Sequence, residues 1–297
     1  TDRPTGPYET LEPVLYTGPV PPRTPPVRNL EDERYRQSSQ GQRESRIAAH
    51  KQWVIGQTRI EKRSLASGIE HWGVSDAPLL GDISSGSFDQ SFAHLLPPGT
   101  ENLKTYIEGE LAPLHNRLLL ELGGTAIGLR SGFQKGFFVR HAGVTLTDYR
   151  QAKTEPELLI PRDAAANRTI ITGDMFDEGV HAKVEAWRNG EQLALVVQRT
   201  LGGSAGVILE PFTLARNAAH WYNRLAEGGL LMSEIQYEIH QFVERWAQLV
   251  HRAYPAIDMK FSESALIIHK RPGSPAHLPL ISGRALLAWQ RTQRRRS

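Results

Sequence analysis

Residues 117–128, RLLLELGGTAIG, restrict this chain more than any other stretch, because a short apolar run stops at an acid and opens into a glycine turn. Leu118, Leu119, Leu120 and Leu122 put apolar side chains on both faces of a strand, a pattern that suits a parallel strand covered on both sides. Gly123 and Gly124 let the backbone turn tightly and come close to a ligand. The same residues also make an ordinary tight turn beside a core strand. The stretch alone does not choose between the two.

The pattern recurs downstream at the spacing of β–α units: VTLTD (144–148), TIITGD (169–174), LALVVQ (193–198) and GGLLMSE (228–234). Each is an apolar run followed by polar residues. Helical patterns lie between several of them, over residues 212–226 and again over 235–254. In the second, Ile235, Ile239, Phe242, Val243, Trp246, Leu249 and Val250 recur at helical spacing. A last run, SALIIH (264–269), would close the sheet. This alternation predicts a three-layer α/β fold, with the first five strands as parallel neighbours and helices on both faces.

In order, these motifs resemble those of the class I, Rossmann-like, S-adenosylmethionine-dependent methyltransferases. ELGG (Glu121 to Gly124) is similar to that family's first motif, and GDMFD (Gly173 to Asp177) resembles its third-strand motif. EGGLLM (Glu227 to Met232) is similar to the "pGG" turn entering its fifth strand. The resemblance spans about residues 106–270. It implies a seven-stranded sheet, S-adenosylmethionine as cofactor and methyl transfer to a small-molecule or protein acceptor. By resemblance, Glu121, Gly123, Gly124, Asp148, Asp174 and Gln198 bind the cofactor. Asp148 takes the ribose hydroxyls, Asp174 lies near the adenine amino group, and Glu121 organises the loop or the methionine part. The family's loop reads acid-x-Gly-x-Gly-x-Gly. Here either the loop is one residue shorter, with Ala126 near the third glycine, or Thr125 and Ile127 replace glycines. A non-catalytic binding or effector protein on the same fold is the alternative function.

The flanks differ in composition from this block. Residues 1–28 carry eight prolines and few apolar side chains, so they read as an extended arm that is disordered, lies along the domain, or docks on a partner or second subunit. Residues 29–99 read as a helical and loop extension covering the site, with Trp53 and Trp72 shielding the core. Residues 100–272 form the methyltransferase-like domain. Residues 273–297 form a tail with Arg291, Arg294, Arg295 and Arg296, which reads as a solvated end; nucleic acid is not supported as a partner.

The chain has 297 residues and a formal net charge of +3, and no run approaches the length of a membrane span. Expected localisation is cytoplasmic, with a secreted effector as the alternative. Zero cysteine excludes thiol catalysis, disulfides and cysteine-bound zinc. No Walker A, EF-hand or H-E-x-x-H pattern is present.

The acceptor side is less specific. The fourth strand ends in Gln198, Arg199 and Thr200, which would face a substrate. His71, His94, His115, His141 and His220 are all possible general bases, but each reads first as a surface or hydrogen-bonded structural histidine. GGSAG (202–206) also fits the nucleophile elbow of serine hydrolases, with Ser204 as nucleophile and Asp258 and His269 or His277 downstream. Against that reading, four residues separate Gln198 from Gly203, whereas an elbow runs straight from strand to helix.

Overall fold

The computed structural model describes residues 15–16, 60–64, 70–74, 91–124, 126, 133–134, 136–145, 168–173, 175–198, 211–235 and 239–281. In chain order, β1 (Leu15–Tyr16) precedes a hairpin of β2 (Ile60–Ser64) and β3 (Glu70–Val74). At residues 60–64 and 70–74 the extension is paired strand rather than the expected helix or loop. Ile60 registers with Val74 and Lys62 with Trp72. Five residues connect the strands, and pairing across so short a connection satisfies the backbone without a helical turn.

Seven strands follow: β4 (Leu118–Leu122), β5 (Arg140–Thr145), β6 (Arg168–Thr172), β7 (Leu193–Gln198), β8 (Leu225–Glu234), β9 (Ile257–Phe261) and β10 (Ala265–Lys270). They form one sheet in the order β6-β5-β4-β7-β8-β10-β9. β4 to β8 are mutually parallel, as their spacing predicts, whereas β10 is antiparallel to both β8 and β9. The reversal has a local cause. Only Ser262 to Ser264 separate β9 from β10, and so short a connection joins antiparallel strands only. Ser262 closes the turn, donating its N–H to Ala265 O at 2.8 Å while its Oγ accepts from Ala265 N at 3.1 Å.

The second strand is displaced from its expected position. It spans Arg140–Thr145 rather than starting at Val144, and β9 has no counterpart in the sequence reading. Both contain charged residues that break the apolar pattern. Arg140 begins β5 and sends its guanidinium over the Trp187 ring and to Trp187 O at 2.9 Å.

Helix α1 (Leu103–Leu111) buries Leu103, Tyr106, Ile107 and Leu111 against one face of the sheet, with Phe92, Phe133 and Phe138 beside it. Asn102 caps it, accepting from Thr105 N at 2.9 Å. Helices α2 (Glu178–Arg188), α3 (Pro211–Tyr222) and α4 (His240–Ala253) cover the opposite face. α4 starts five residues later than its periodicity suggested, and buries Phe242, Val243, Trp246, Ala247, Leu249 and Val250 along one stripe. The strands divide accordingly. On β4, Leu118, Leu120 and Leu122 face the α2–α4 layer and Leu119 faces α1.

The glycine pair entering β8 has a specific task. The β7–β8 register jumps between Leu193↔Leu225 and Leu195↔Leu230, so β8 bulges at this point. Gly228 takes φ +87°, and a Cβ on Gly229 would meet the carbonyl oxygens of Ala226, Leu193 and Ala194 at 2.9, 3.1 and 3.2 Å.

Packed residues continue past Pro272. Leu278, Leu280 and Ile281 are buried, and Trp246 Nε1 donates to Pro279 O at 2.7 Å. β11 (Leu280–Ile281) pairs antiparallel with β1, so the proline-rich arm lies along the domain at Leu15 and Tyr16. Among the described residues, no helix is long and apolar enough to cross a membrane.

Candidate functional site

The strand order runs outward from β4 in both directions, to β5 and β6 on one side and β7 and β8 on the other. The crevice between the carboxyl ends of β4 and β7 is therefore the topological switch point, where open parallel sheets bind ligands. Glu121, Gly123 and Gly124 stand there at the end of β4, and Gln198 stands at the end of β7.

Glu121 organises the turn from inside. It is 3% exposed, and its Oε2 accepts a hydrogen bond from Ala126 N at 2.5 Å. Gly123 takes φ +92° and donates to Val144 O at 2.9 Å, which ties the turn to β5. Gly124 is glycine for space rather than torsion. A Cβ there would fall on the Glu121 carboxyl group, within 2.8 Å of Oε2 and nearer still to Oε1. Ala126 is buried and takes φ +61°, a left-handed conformation that favours glycine. Thr125 and Ile127 lie outside the described residues.

Gln198 is 1% exposed and registers with Leu122 of β4 and Ser233 of β8. Its orientation follows from a chain of side chains on α3. Trp221 Nε1 can only donate, so the oxygen of Asn217 faces it, at 3.1 Å. This turns Asn217 Nδ2 toward Gln198 Oε1, to which it donates at 2.7 Å. With its carbonyl end taken, Gln198 keeps Nε2 as a buried donor without a partner among the described residues. His181 of α2 braces the same amide. Its Nε2 faces two acceptors, Met175 O at 2.8 Å and Asn217 Oδ1 at 3.2 Å, so that nitrogen carries the proton.

His181 stacks on His220 with ring centroids 4.1 Å apart. Burial foremost, then the neighbouring His181 and the Arg224, Arg188 and Arg216 guanidinium groups, push the His220 imidazole down to about 2. Glu185 Oε1 lies 3.9 Å from His220 Nε2, but that carboxylate is already bonded to Arg188 and Arg224. A group held neutral so firmly is a poor general base. His94 and His115 are exposed and His141 is buried in β5; the side chain of His71 lies outside the described residues.

Asp148 and Asp174 lie outside the described residues, as do Arg199, Thr200 and Ser204. The described part of β5 ends at Thr145, three residues before Asp148, and Gly173 immediately precedes Asp174. Gly173 takes φ +148°, and a Cβ there would run into Val180 Cγ2, so α2 can start against the end of β6 only beside a glycine. Asp177 caps α2, accepting from Gly179 N at 2.7 Å.

Asp258 and His269, offered with His277 as downstream partners of a Ser204 nucleophile, face each other across β9 and β10 and are bonded elsewhere. His269 Nε2 donates to Gly228 O at 3.1 Å, and its Nδ1 lies 3.4 Å from Glu110 Oε2. Burial and the Arg271 charge lower its pKa. Arg271 donates to Asp258 Oδ2 at 3.0 Å and to Glu110 Oε2 at 2.8 Å. This cluster binds α1 to β9 and β10. It sits at the end of β9 where Ile257 starts, which is the amino end of the parallel strands.

No family model and no curated protein matches the chain. Among solved structures, it aligns with the MycE methyltransferase of mycinamycin biosynthesis, determined with Mg and SAH. The identity is 11% and the TM-score 0.37, over 57% of this chain and 48% of that one. An S-adenosylmethionine-dependent methyltransferase from Clostridium acetobutylicum aligns at 16% identity and TM-score 0.33, over 52% and 60%. An rRNA methylase from Streptococcus thermophilus aligns at 14% identity and TM-score 0.37, over 56% and 95%. The chain thus spans about half the length of MycE. Strand order, strand direction and register identify the fold without these likenesses: a seven-stranded, Rossmann-like mixed sheet between helical layers.

Proposed function

We propose that this chain binds S-adenosylmethionine across the carboxyl ends of β4 to β7 and catalyses transfer of its methyl group to a small-molecule or protein acceptor. The observation that carries this reading is the glycine turn tied down by Glu121 at the switch point, with the Gln198 donor, unpaired among the described residues, at the neighbouring strand end. These residues suit such a ligand. A turn with glycines at positions 123 and 124 admits close approach, and a buried N–H donor needs an oxygen acceptor, which the ligand's carboxylate and hydroxyl groups provide.

The cofactor supplies an electrophilic methyl group on a charged sulfur, so the protein's task is alignment, plus a base where the acceptor is a hydroxyl or ammonium. Asp148 accepts the ribose hydroxyls and Asp174 receives the adenine amino group, both by the motif resemblance. Calorimetric titration with S-adenosylmethionine tests the reading. Saturable binding below millimolar is expected, and Asp148→Ala should weaken it roughly tenfold or more, the loss of about 1.5 kcal/mol. Absence of binding at millimolar cofactor would reassign the chain as a non-catalytic binding protein on this fold.

A further inference from the structure

We infer that Asn217 is a positioning residue: held by Trp221 and His181, it fixes the Gln198 amide so that the crevice offers an N–H donor to an oxygen acceptor of the ligand. The inference takes its probe, S-adenosylmethionine, from the function proposed above. The geometry behind it is independent of that function.

The polarity is set step by step. An indole N–H is a donor only, and Trp221 lies one helical turn after Asn217 on α3, so Asn217 must present Oδ1 upward to it and Nδ2 to Gln198. His181 reinforces the choice, because its protonated Nε2, whose nearer acceptor is Met175 O, would face a second donor if Asn217 turned its Nδ2 that way. Were Asn217 flipped, its NH2 group would face two donors and its oxygen would face a third group, the Gln198 carbonyl. The network therefore has one self-consistent state. In that state Gln198 Oε1 is used and Nε2 is left over, buried at the end of β7. A buried donor without a partner costs roughly what an unmade hydrogen bond costs, so a ligand that supplies an oxygen there recovers that cost on binding. An amino or ammonium group at the same place would not.

The test uses four forms of the full chain: wild type, Asn217→Asp, Gln198→Glu and the double variant. In Asn217→Asp the new carboxylate accepts from Trp221, His181 and Gln198. Gln198 then turns its Nε2 inward and presents Oε1 to the crevice. The three donors keep the variant folded, with a melting temperature within about 5 °C of wild type, roughly 1 to 2 kcal/mol for a domain of this size. S-adenosylmethionine affinity nevertheless falls at least tenfold, a change that a purely structural role would not produce without a matching loss of stability. Gln198→Glu, which still accepts from Asn217, also stays folded and binds weakly. The double variant sets two carboxylates face to face, and its melting temperature drops well beyond the sum of the single changes.

Failure of the lock and failure of the function are separable. If wild type binds the cofactor and Asn217→Asp binds it equally well, the lock is overturned while methyl transfer stands. If wild type does not bind, the melting cycle decides alone: non-additive loss in the double variant upholds the lock, and additive loss overturns it.

Discussion

Replacing Gly124 with alanine should cost far more than a methyl group on a surface turn, and for a specific reason. Gly124 has no φ in the left-handed region, so the new side chain meets no torsional penalty. It meets the Glu121 carboxyl group instead, closer than any real Cβ contact allows. Glu121 is 3% exposed and cannot swing into water. To make room, the carboxylate has to leave Ala126 N, and a charge-assisted hydrogen bond of this kind is worth about 1.5 to 3 kcal/mol. A loss of that size lowers the melting temperature by roughly 3 to 12 °C in a domain of this size. The mechanism is checked by repeating the change on a Glu121→Ala background, where the obstacle is gone. There Gly124→Ala should cost only a few tenths of a kcal/mol, which gives a coupling energy of about 2 kcal/mol between the two positions. Thermal unfolding followed by circular dichroism measures all four proteins. Melting of Gly124→Ala within about 1 °C of wild type, or strictly additive losses in the double variant, would refute the reasoning.

Two further outcomes rest on other parts of the sheet. Gly229→Ala places a methyl group against three backbone oxygens of β7 and β8, which cannot move aside cheaply, and should destabilise by about 1 to 3 kcal/mol in denaturant titration. His220 is neutral in the folded chain and its pKa lies far below 6.5, whereas the unfolded imidazole takes up a proton near pH 6.5. Acid therefore favours unfolding, and between pH 7.5 and 5.5 this one group should remove on the order of 1 kcal/mol of stability. A His220→Gln variant should lose that much less than wild type over the same interval; an identical pH dependence in both would show that the imidazole titrates normally.

Which parts of the fold could be read from the sequence follows from which strands are buried on both faces. Leu118–Leu120 and Leu193–Val197 are uninterrupted apolar runs, and they lie within the strands observed, Leu118–Leu122 and Leu193–Gln198. β5 begins with Arg140 and His141, whose polar character hid the strand start although His141 is buried and Arg140 is satisfied by Trp187. β9 was hidden by Asp258 and Lys260, which alternate with Ile257, Met259 and Phe261 on an edge strand; that period-two alternation was the signal to use. At the site, Glu121, Gly123 and Gly124 stood out because an acid followed by two glycines is a local pattern. The inward role of Glu121 depends on Ala126 folding back, which no residue type announces. The support of Gln198 is drawn from α2, α3 and the turn at Met175, so only the four-residue spacing of Asn217 and Trp221 was visible in one dimension.

The central claim is that the ligand crevice lies at the carboxyl ends of β4 and β7, and amide hydrogen exchange with and without S-adenosylmethionine tests it most directly. Slowed exchange at the amides of Gly123, Gly124 and Ala126 and at the end of β7 is expected on addition of cofactor, with exchange around Asp258 and His269 unchanged. Protection centred on Gly228, Asp258 and His269, with the glycine turn unaffected, would contradict it.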